Sequence, residues 1–379
     1  MASQLTSFPD KFRRYRAQFE ASFEEVSNAT GIATDVLGAL ESGQRQPSGD
    51  EVLILADYFK CDFKFFISNE QLAPFEQTEK LFRKLGGELS QADRWAIQEF
   101  LFLCECERFL ETALGRPSPR ALSFVKQGTF FKRHGVEAAS LLRRHLGYPP
   151  TVIPIDVYAD FRTIGIRIFR RSLDNSDISG LFLKHPVAGN CVLVNYSEDV
   201  YRQRFTAAHE AGHAILDSEQ DFVVSLIQEQ SHLSEVRANA FAGHYLLPPE
   251  FVRAMPTVQW NDVSIVAEAT RLRVNVATLV IALQREGRIS EATAGQLLEL
   301  KIPRAEKMDP ELPPSLSAAG RALKIELLRR GLSTHYARLC FDAYDRGLTS
   351  WARLAEMLLS DERALSEIGS LYGWSQKHA

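Results

Sequence analysis

Two histidines spaced four residues apart in an apolar stretch place the strongest constraint on this chain. Residues Phe205–Leu216 read Phe-Thr-Ala-Ala-His-Glu-Ala-Gly-His-Ala-Ile-Leu. On a helix, residues i and i+4 lie on the same face, so His209 and His213 can both direct an imidazole at one metal ion. Glu210 directly follows the first histidine, and there its carboxylate can accept a proton from a water molecule bound to zinc. The pattern predicts a metal-binding helix with Glu210 as its general base.

A catalytic zinc ion usually has three protein ligands, so the pattern needs a third. Glu235 is the first candidate, because Ser234 is a suitable helix N-cap and the spacing up to Leu247 predicts a second helix. His232 is the second candidate. His244 ranks well behind, since nine helical positions turn the chain by about 900° and place it nearly opposite Glu235. The motif fixes only three positions, so a purely structural helix is the alternative interpretation.

The composition excludes several classes of protein. Of the 379 residues, 45% are hydrophobic and 24% charged, which excludes a disordered tail or a disulfide miniprotein. The net charge of −4 gives no chain-wide basic field that would attract nucleic acid or a membrane.

The first thirty residues lack an apolar signal core, and no apolar run approaches the roughly 18 residues of a membrane span. The five cysteines form no CxxC pair, which indicates reduced thiols and a cytoplasmic location. Cys104 and Cys106 face different sides of a predicted helix. They are therefore expected to be buried apolar residues and not joint ligands of a metal ion.

Proline clusters at 116–120, 148–154 and 308–314 predict connectors between structural units. Helical spacing dominates before residue 163 and returns after residue 196, where it holds to the end. Between these positions the chain has short β-rich runs, which predict a small sheet of hairpins. The runs are 164–169, 178–183 and 191–194. The predicted fold class is therefore mainly α with a small β-sheet (α+β).

Several segments around the histidine pair carry a family resemblance. They are Arg204–His213, Glu235–Ala242, Leu246–Pro249, Ile178–Gly180 and Cys191–Asn195. With these segments, residues 150–290 resemble the ImmA/IrrE family of zinc-dependent metallopeptidases. The resemblance implies a gluzincin-like site, with His209, His213 and Glu235 as Zn²⁺ ligands and Glu210 as general base. It also implies site-limited cleavage of a cognate helix-turn-helix repressor, which derepresses stress or mobile-element genes.

Three features near the motif have two interpretations each. Asp217 stands where relatives often carry a histidine, and it either orients His213 or is a solvated surface residue. Arg204 either supports the site or an oxyanion, or pairs with a carboxylate. Residues 263–289 resemble the helical pair that follows the motif in the family. They are expected to pack over the site and shape the substrate cleft, with a second DNA-reading unit as the alternative.

Residues 11–66 resemble an XRE-type (Cro/repressor-like) helix-turn-helix domain. The resemblance rests on Arg16, Ser22–Ser27, Thr30–Ile32, Val36, Leu40–Gly43, Pro47 and Leu53–Ala56. It places the second helix at about 23–29 and the recognition helix at about 33–41. Val26, Ile32, Val36 and Leu40 are expected to pack these two helices together.

DNA binding by this region is less well supported than its fold. Thr34, Asp35 and Gly38 would face the major groove, although Arg, Lys, Asn and Gln make the strongest base contacts. Residues 1–70 contain seven Lys and Arg against eleven Asp and Glu, so phosphate contact depends on a local patch. The patch consists of Lys11, Arg13, Arg14, Arg16 and Arg45. The alternative is a helical domain for dimerisation or partner recognition, and a homodimer is expected by analogy with XRE-type domains.

These observations predict four domains. They are a helix-turn-helix domain at 1–70, a helical connector at 71–149, a metallopeptidase domain at 150–300 and a helical C-terminal domain at 301–379.

The leading hypothesis for the function is a transcriptional regulator that binds an operator and cleaves, or at least binds, a cognate repressor or toxin. A non-catalytic repressor or antitoxin with a zincin scaffold is the alternative, and a general peptidase is the weakest option. In the C-terminal domain, the arginines are expected to form a solvated face, with partner docking as the alternative. They are Arg329, Arg330, Arg338, Arg346 and Arg353.

Overall fold

The computed structural model describes residues 8–68, 78–82, 89–117, 119, 122–226 and 233–375. These residues are mainly helical with one small sheet, which confirms the α+β class. Contacts group the chain into two units, residues 1–103 and 104–379. The division into four domains stays a prediction. No helix among the described residues has both the length and the apolar character needed to cross a bilayer.

The first unit consists of short helices. They are α1 (Phe8–Gln18), α2 (Phe23–Thr30), α3 (Thr34–Glu41), α4 (Gly49–Tyr58) and α5 (Lys64–Ile67), followed by α6 (Gln91–Ala113), which crosses the boundary between the units. Ser22 caps α2, because its hydroxyl accepts from the Glu25 amide while the Glu25 carboxylate accepts from the Ser22 amide. The helices α2 and α3 lie within about a residue of their predicted bounds. Val26, Ile32 and Leu40 are buried as predicted, whereas Val36 is only half-buried and its neighbour Leu37 is fully buried instead.

The second unit contains the remaining helices. They are α7 (Phe131–His145), α8 (Val157–Thr163), α9 (Val200–Leu216), α10 (Leu233–Leu246), α11 (Pro249–Ala254), α12 (Asp262–Leu272), α13 (Val276–Arg285), α14 (Glu291–Leu297), α15 (Ala318–Arg329), α16 (Thr334–Asp345), α17 (Trp351–Met357) and α18 (Leu365–Leu371). Cys104 and Cys106 lie on different sides of α6, as predicted, and both are buried. Cys104 contacts Cys191, whereas Cys106 contacts Tyr336.

The sheet has four strands in the order β1-β3-β2-β4. They are β1 (Arg167–Arg171), β2 (Ile178–His185), β3 (Gly189–Asn195) and β4 (Phe222–Leu226). The strands β2 and β3 form the expected antiparallel hairpin. However, β1 pairs in parallel with β3, so the prediction of hairpins alone was wrong. The strand β4 also corrects the prediction of uninterrupted helical spacing after residue 196.

The helix α9 lies against β2 and β3 on one side and against α10 on another. Its residues are almost all buried from Tyr201 onward, so the histidine motif is part of the core rather than a surface feature. The helices α7 and α10 approach each other closely at Gly135, where a Cβ atom would lie 2.2 Å from the Arg237 carbonyl oxygen. This packing fixes α10, and with it Glu235, relative to α9.

Candidate metal centre

Three buried side chains from α9 and the first turn of α10 meet at one point. The Nε2 atoms of His209 and His213 lie 3.1 Å apart. One carboxylate oxygen of Glu235 lies 3.0 Å from His209 Nε2, and the other lies 3.1 Å from His213 Nε2. The structure thus brings together the three residues predicted as ligands. His232 lies outside the described residues, and His244 is not part of the cluster because its Nδ1 bonds the Ala240 carbonyl oxygen at 2.7 Å.

The other nitrogen of each imidazole has a hydrogen-bond acceptor. His209 Nδ1 lies 3.0 Å from Asn239 Oδ1, and His213 Nδ1 lies 2.8 Å from Asp217 Oδ2. Donation from Nδ1 leaves the Nε2 lone pairs directed at the shared point. Asp217 is 1% exposed and also accepts from Arg237, so it orients His213 and is not a solvated residue.

The cluster is electrostatically suited to a cation. Burial lowers the pKa of His213, but the hydrogen bonds to Asp217 and Glu235 outweigh burial and raise it to about 9. Burial raises the pKa of Glu235, yet the hydrogen bonds from both histidines lower it to about 2. Both shifts mean that the carboxylates around this point favour a positive charge there, which a bound metal ion would supply in place of the His213 proton. Two imidazole nitrogens and one carboxylate are a donor set that Zn²⁺ prefers, so the residues present fit that ion.

Glu210 lies beside this cluster with its carboxylate fully buried. Neither carboxylate oxygen has a hydrogen-bond partner among the described residues. Burial raises the pKa of Glu210, although His209, His213 and the nearby Ser225 hydroxyl oppose this shift. The backbone of β2 passes so close that a Cβ atom at Gly180 would lie 2.7 Å from Glu210 Oε1. A buried carboxylate without a partner costs stability, which points to a functional role.

A cavity of about 370 Å³ opens onto three of these side chains, those of His209, Glu210 and Glu235. Its walls come from α9, α10, β2, β4 and α13. One wall of the cavity consists of Asn275, directly before α13, and of Thr278, Ile281 and Arg285 on that helix. The segment 263–289 thus packs over the site as expected. It forms one wall of a cleft large enough for part of a polypeptide.

Comparison with protein families assigns this part of the chain. Residues 161–283 match the family model of the IrrE N-terminal-like domain, Peptidase_M78. The match covers less than half of the chain. It includes the sheet, α9, α10 and most of α13, and therefore the whole metal cluster. It supports a peptidase-type domain of the ImmA/IrrE kind. No curated protein matches the chain.

Within the IrrE N-terminal-like domain, Arg204 has a role that the sequence did not predict. Its guanidinium donates to the carbonyl oxygens of Ile155 at 2.7 Å and Pro154 at 3.1 Å. It does not line the metal-site cavity, and it forms no ion pair among the residues that the structure describes, so the predictions of an oxyanion contact and of a carboxylate pair were wrong. The sequence patterns did not identify Arg237, which donates to Asp217, or Asn239, which accepts from His209. Asn239 lies four residues after Glu235 on α10, and that spacing was the available signal.

Outside the IrrE N-terminal-like domain, the residues predicted to contact DNA differ in their exposure. Thr34 and Asp35 are exposed at the start of α3. Lys11 is buried and donates to the Phe65 carbonyl oxygen at 2.7 Å, so its inclusion in a phosphate-binding patch was wrong. The four arginines are each within salt-bridge distance of a carboxylate. The closest approaches are Arg13 to Asp10 at 3.4 Å, Arg14 to Glu79 at 2.6 Å, Arg16 to Glu41 at 2.7 Å and Arg45 to Glu51 at 2.8 Å. Phosphate contact would compete with these pairs, and the helix-turn-helix assignment stays a prediction.

Proposed function

We propose that this chain is a zinc-dependent metalloendopeptidase that cleaves a cognate regulatory protein. The observation that carries the proposal is the buried cluster of His209, His213 and Glu235, with the unpartnered carboxylate of Glu210 beside it. Zinc bound by these three residues would supply a Lewis acid that polarises a peptide carbonyl and lowers the pKa of water.

Within this proposal, Glu210 handles the proton. No short hydrogen bond engages its carboxylate among the described residues, so it can accept a proton from the attacking water and pass it to the leaving amine. The pKa raised by burial favours this transfer, because a strongly acidic group would be a poor base. Asn239 and Asp217 hold the imidazoles in one orientation, and the wall formed by α13 limits access to the cleft.

The regulatory part of the proposal depends on the first unit. The helices α2 and α3 lie where the resemblance to helix-turn-helix repressors predicts them, and Thr34 and Asp35 are exposed. We expect this unit to direct the peptidase to an operator or to a protein partner. Selection of bound sequences from a random DNA pool with the full chain tests operator binding. If no sequence is enriched, the unit is a partner-binding module instead.

The decisive experiment compares the wild type with Glu210→Gln, which keeps the shape of the side chain. Zinc content is measured by mass spectrometry on protein purified without added metal, and new protein N-termini are mapped in cells that express each form. We expect equal zinc content, and a small set of new N-termini with the wild type only. Removal of a general base typically lowers the rate by about 10²–10⁴-fold. Identical N-termini from both forms would contradict the proposed mechanism.

A further inference from the structure

A second cavity, of about 690 Å³, lies within the second unit on another face of α9. It shares no lining residue with the cavity of the metal site. Its walls come from α8, β1, the first turns of α9, the connector 308–314 and α16. Volumes of about 300–1,000 Å³ are typical of small-molecule sites.

The lining of this cavity carries unbalanced positive charge. Four lining arginines form no ion pair among the described residues, namely Arg116, Arg204, Arg273 and Arg338. The lining carboxylates, in contrast, are already engaged by other groups. Asp309 pairs with Arg170 at 2.7 Å, Glu311 with Lys324 at 3.2 Å and Asp342 with Arg346 at 3.1 Å, while Asp156 caps the N-terminus of α8. Of the four arginines, Arg204 is buried and Arg273 half-buried, whereas Arg116 and Arg338 are exposed at the rim, so guanidinium groups exceed free carboxylates around this space.

Two buried donors in the lining lack partners. Arg204 is 5% exposed, and its Nε has no hydrogen-bond partner among the described residues although both of its terminal nitrogens do. The hydroxyl of Tyr158 is also buried without a partner. Burial lowers the pKa of Arg204, and the neighbouring charge of Arg273 lowers it further. Buried donors and adjacent like charges both cost stability, and an anion in the cavity would offset both costs.

We propose that this cavity binds a phosphorylated small molecule of about nucleotide size. Guanidinium groups match the oxygens of phosphate in geometry as well as in charge. Apolar side chains complete the walls and suit the organic part of such a ligand; Ile168, Val200 and Leu328 are among them. The site is separate from the metal centre, so the inference does not depend on peptidase activity.

The test is isothermal titration calorimetry on the full chain in its metal-free form, because pyrophosphate also binds zinc. The probes are pyrophosphate and adenosine monophosphate, with adenosine as the uncharged control. We compare the wild type with the double variant Arg273→Gln/Arg338→Gln. Neither substitution breaks an ion pair among the described residues. The matched control is Arg271→Gln, which lies two residues from Arg273, outside the cavity lining.

We expect both phosphate probes to bind the wild type, and the double variant to weaken binding at least about tenfold, as the loss of charge-assisted hydrogen bonds predicts. The control Arg271→Gln should change the dissociation constant less than about twofold. Absence of binding by both phosphate probes would overturn the proposal. Equal affinity of the wild type and the double variant, or of adenosine and adenosine monophosphate, would also overturn it.

Discussion

The imidazole of His209 is held by a neutral amide and that of His213 by a carboxylate, so the two partners differ in what their removal disturbs. Asp217 also neutralises the buried Arg237, and its loss would leave that cation without its ion-pair partner. Stability and metal binding would then change together. Asn239 carries no charge, and its substitution therefore separates the effect on the metal from the effect on the fold.

We expect Asn239→Ala to weaken zinc binding about 10–100-fold, because His209 loses the acceptor that fixes its orientation and tautomer. The affinity is measured on the full chain by competition with a chromophoric chelator. Thr278→Ala is the matched control, since Thr278 lines the same cavity without belonging to the cluster. Equal affinities of the two variants would show that the amide does not support the ligand.

Some of these side-chain positions were predictable from sequence and others were not. His209, Glu210 and His213 follow from spacing on one helix, and Glu235 follows from the expected second helix. Lys11 and Arg204 were misjudged because their partners are main-chain carbonyl oxygens of residues distant in sequence. Such partners are set by tertiary packing, and no local pattern reports them.

Elements were predictable where the pattern is long or has caps. The helix α2 has a clear N-cap and lies near its expected bounds, and α9 contains the whole predicted motif Phe205–Leu216 although it begins earlier, at Val200. The five-residue strand β4 was missed because so short an apolar run does not distinguish a strand from a helix. The parallel pairing of β1 with β3 was missed as well, since the chain runs from β1 to β2 first and β3 then inserts between these two strands in the sheet.

The contact between β2 and α9 gives a prediction at this scale. Gly180→Ala would place a Cβ atom 2.7 Å from Glu210 Oε1 and 2.8 Å from Thr206 Cγ2, so the strand and the helix must move apart. We expect a loss of about 1–3 kcal/mol in the free energy of unfolding, measured in urea, together with displacement of Glu210 and reduced cleavage.

Gly243→Ala is the matched control for this substitution. Gly243 lines the same cavity, but its Cβ atom would meet only Arg285 Nη1 at 3.9 Å. An alanine inside a helix should leave stability unchanged or slightly raised. If both variants unfolded at the same urea concentration as the wild type, the close approach of β2 to Glu210 would have no energetic significance.

In the whole molecule, the residues of the metal site lie close together in sequence, whereas those that line the second cavity are far apart in sequence. The cluster comes from α9 and α10, which are close in sequence, so a motif could predict it. The second cavity is lined by residues from Arg116 to Asp342, and only the folded second unit brings them together. Arg338 is exposed, as the predicted solvated face requires, and it also lines the rim of this cavity, which no local pattern reports.

The attachment of the connector 308–314 to α16 should make the second unit sensitive to acid. The Glu311 carboxylate accepts from the Thr334 amide at 3.1 Å and lies 3.2 Å from Lys324 Nζ. Burial raises the pKa of Glu311, but Lys324 and Thr334 outweigh burial and lower it below its ordinary value. A carboxylate whose pKa is lower in the folded state stabilises the fold above the unfolded-state pKa, and this contribution is lost as the pH falls through the folded-state pKa.

We therefore expect Glu311→Gln to lower the melting temperature near neutral pH, with a difference from the wild type that shrinks once the pH falls below about 4.5. Scanning calorimetry at a series of pH values measures this difference. Glu326→Gln is the control, because Glu326 is exposed and lies 3.7 Å from Arg329, so its removal should have little effect at any pH. A difference for Glu311→Gln that did not change with pH would mean that the side chain stabilises α16 through its shape and not through its charge.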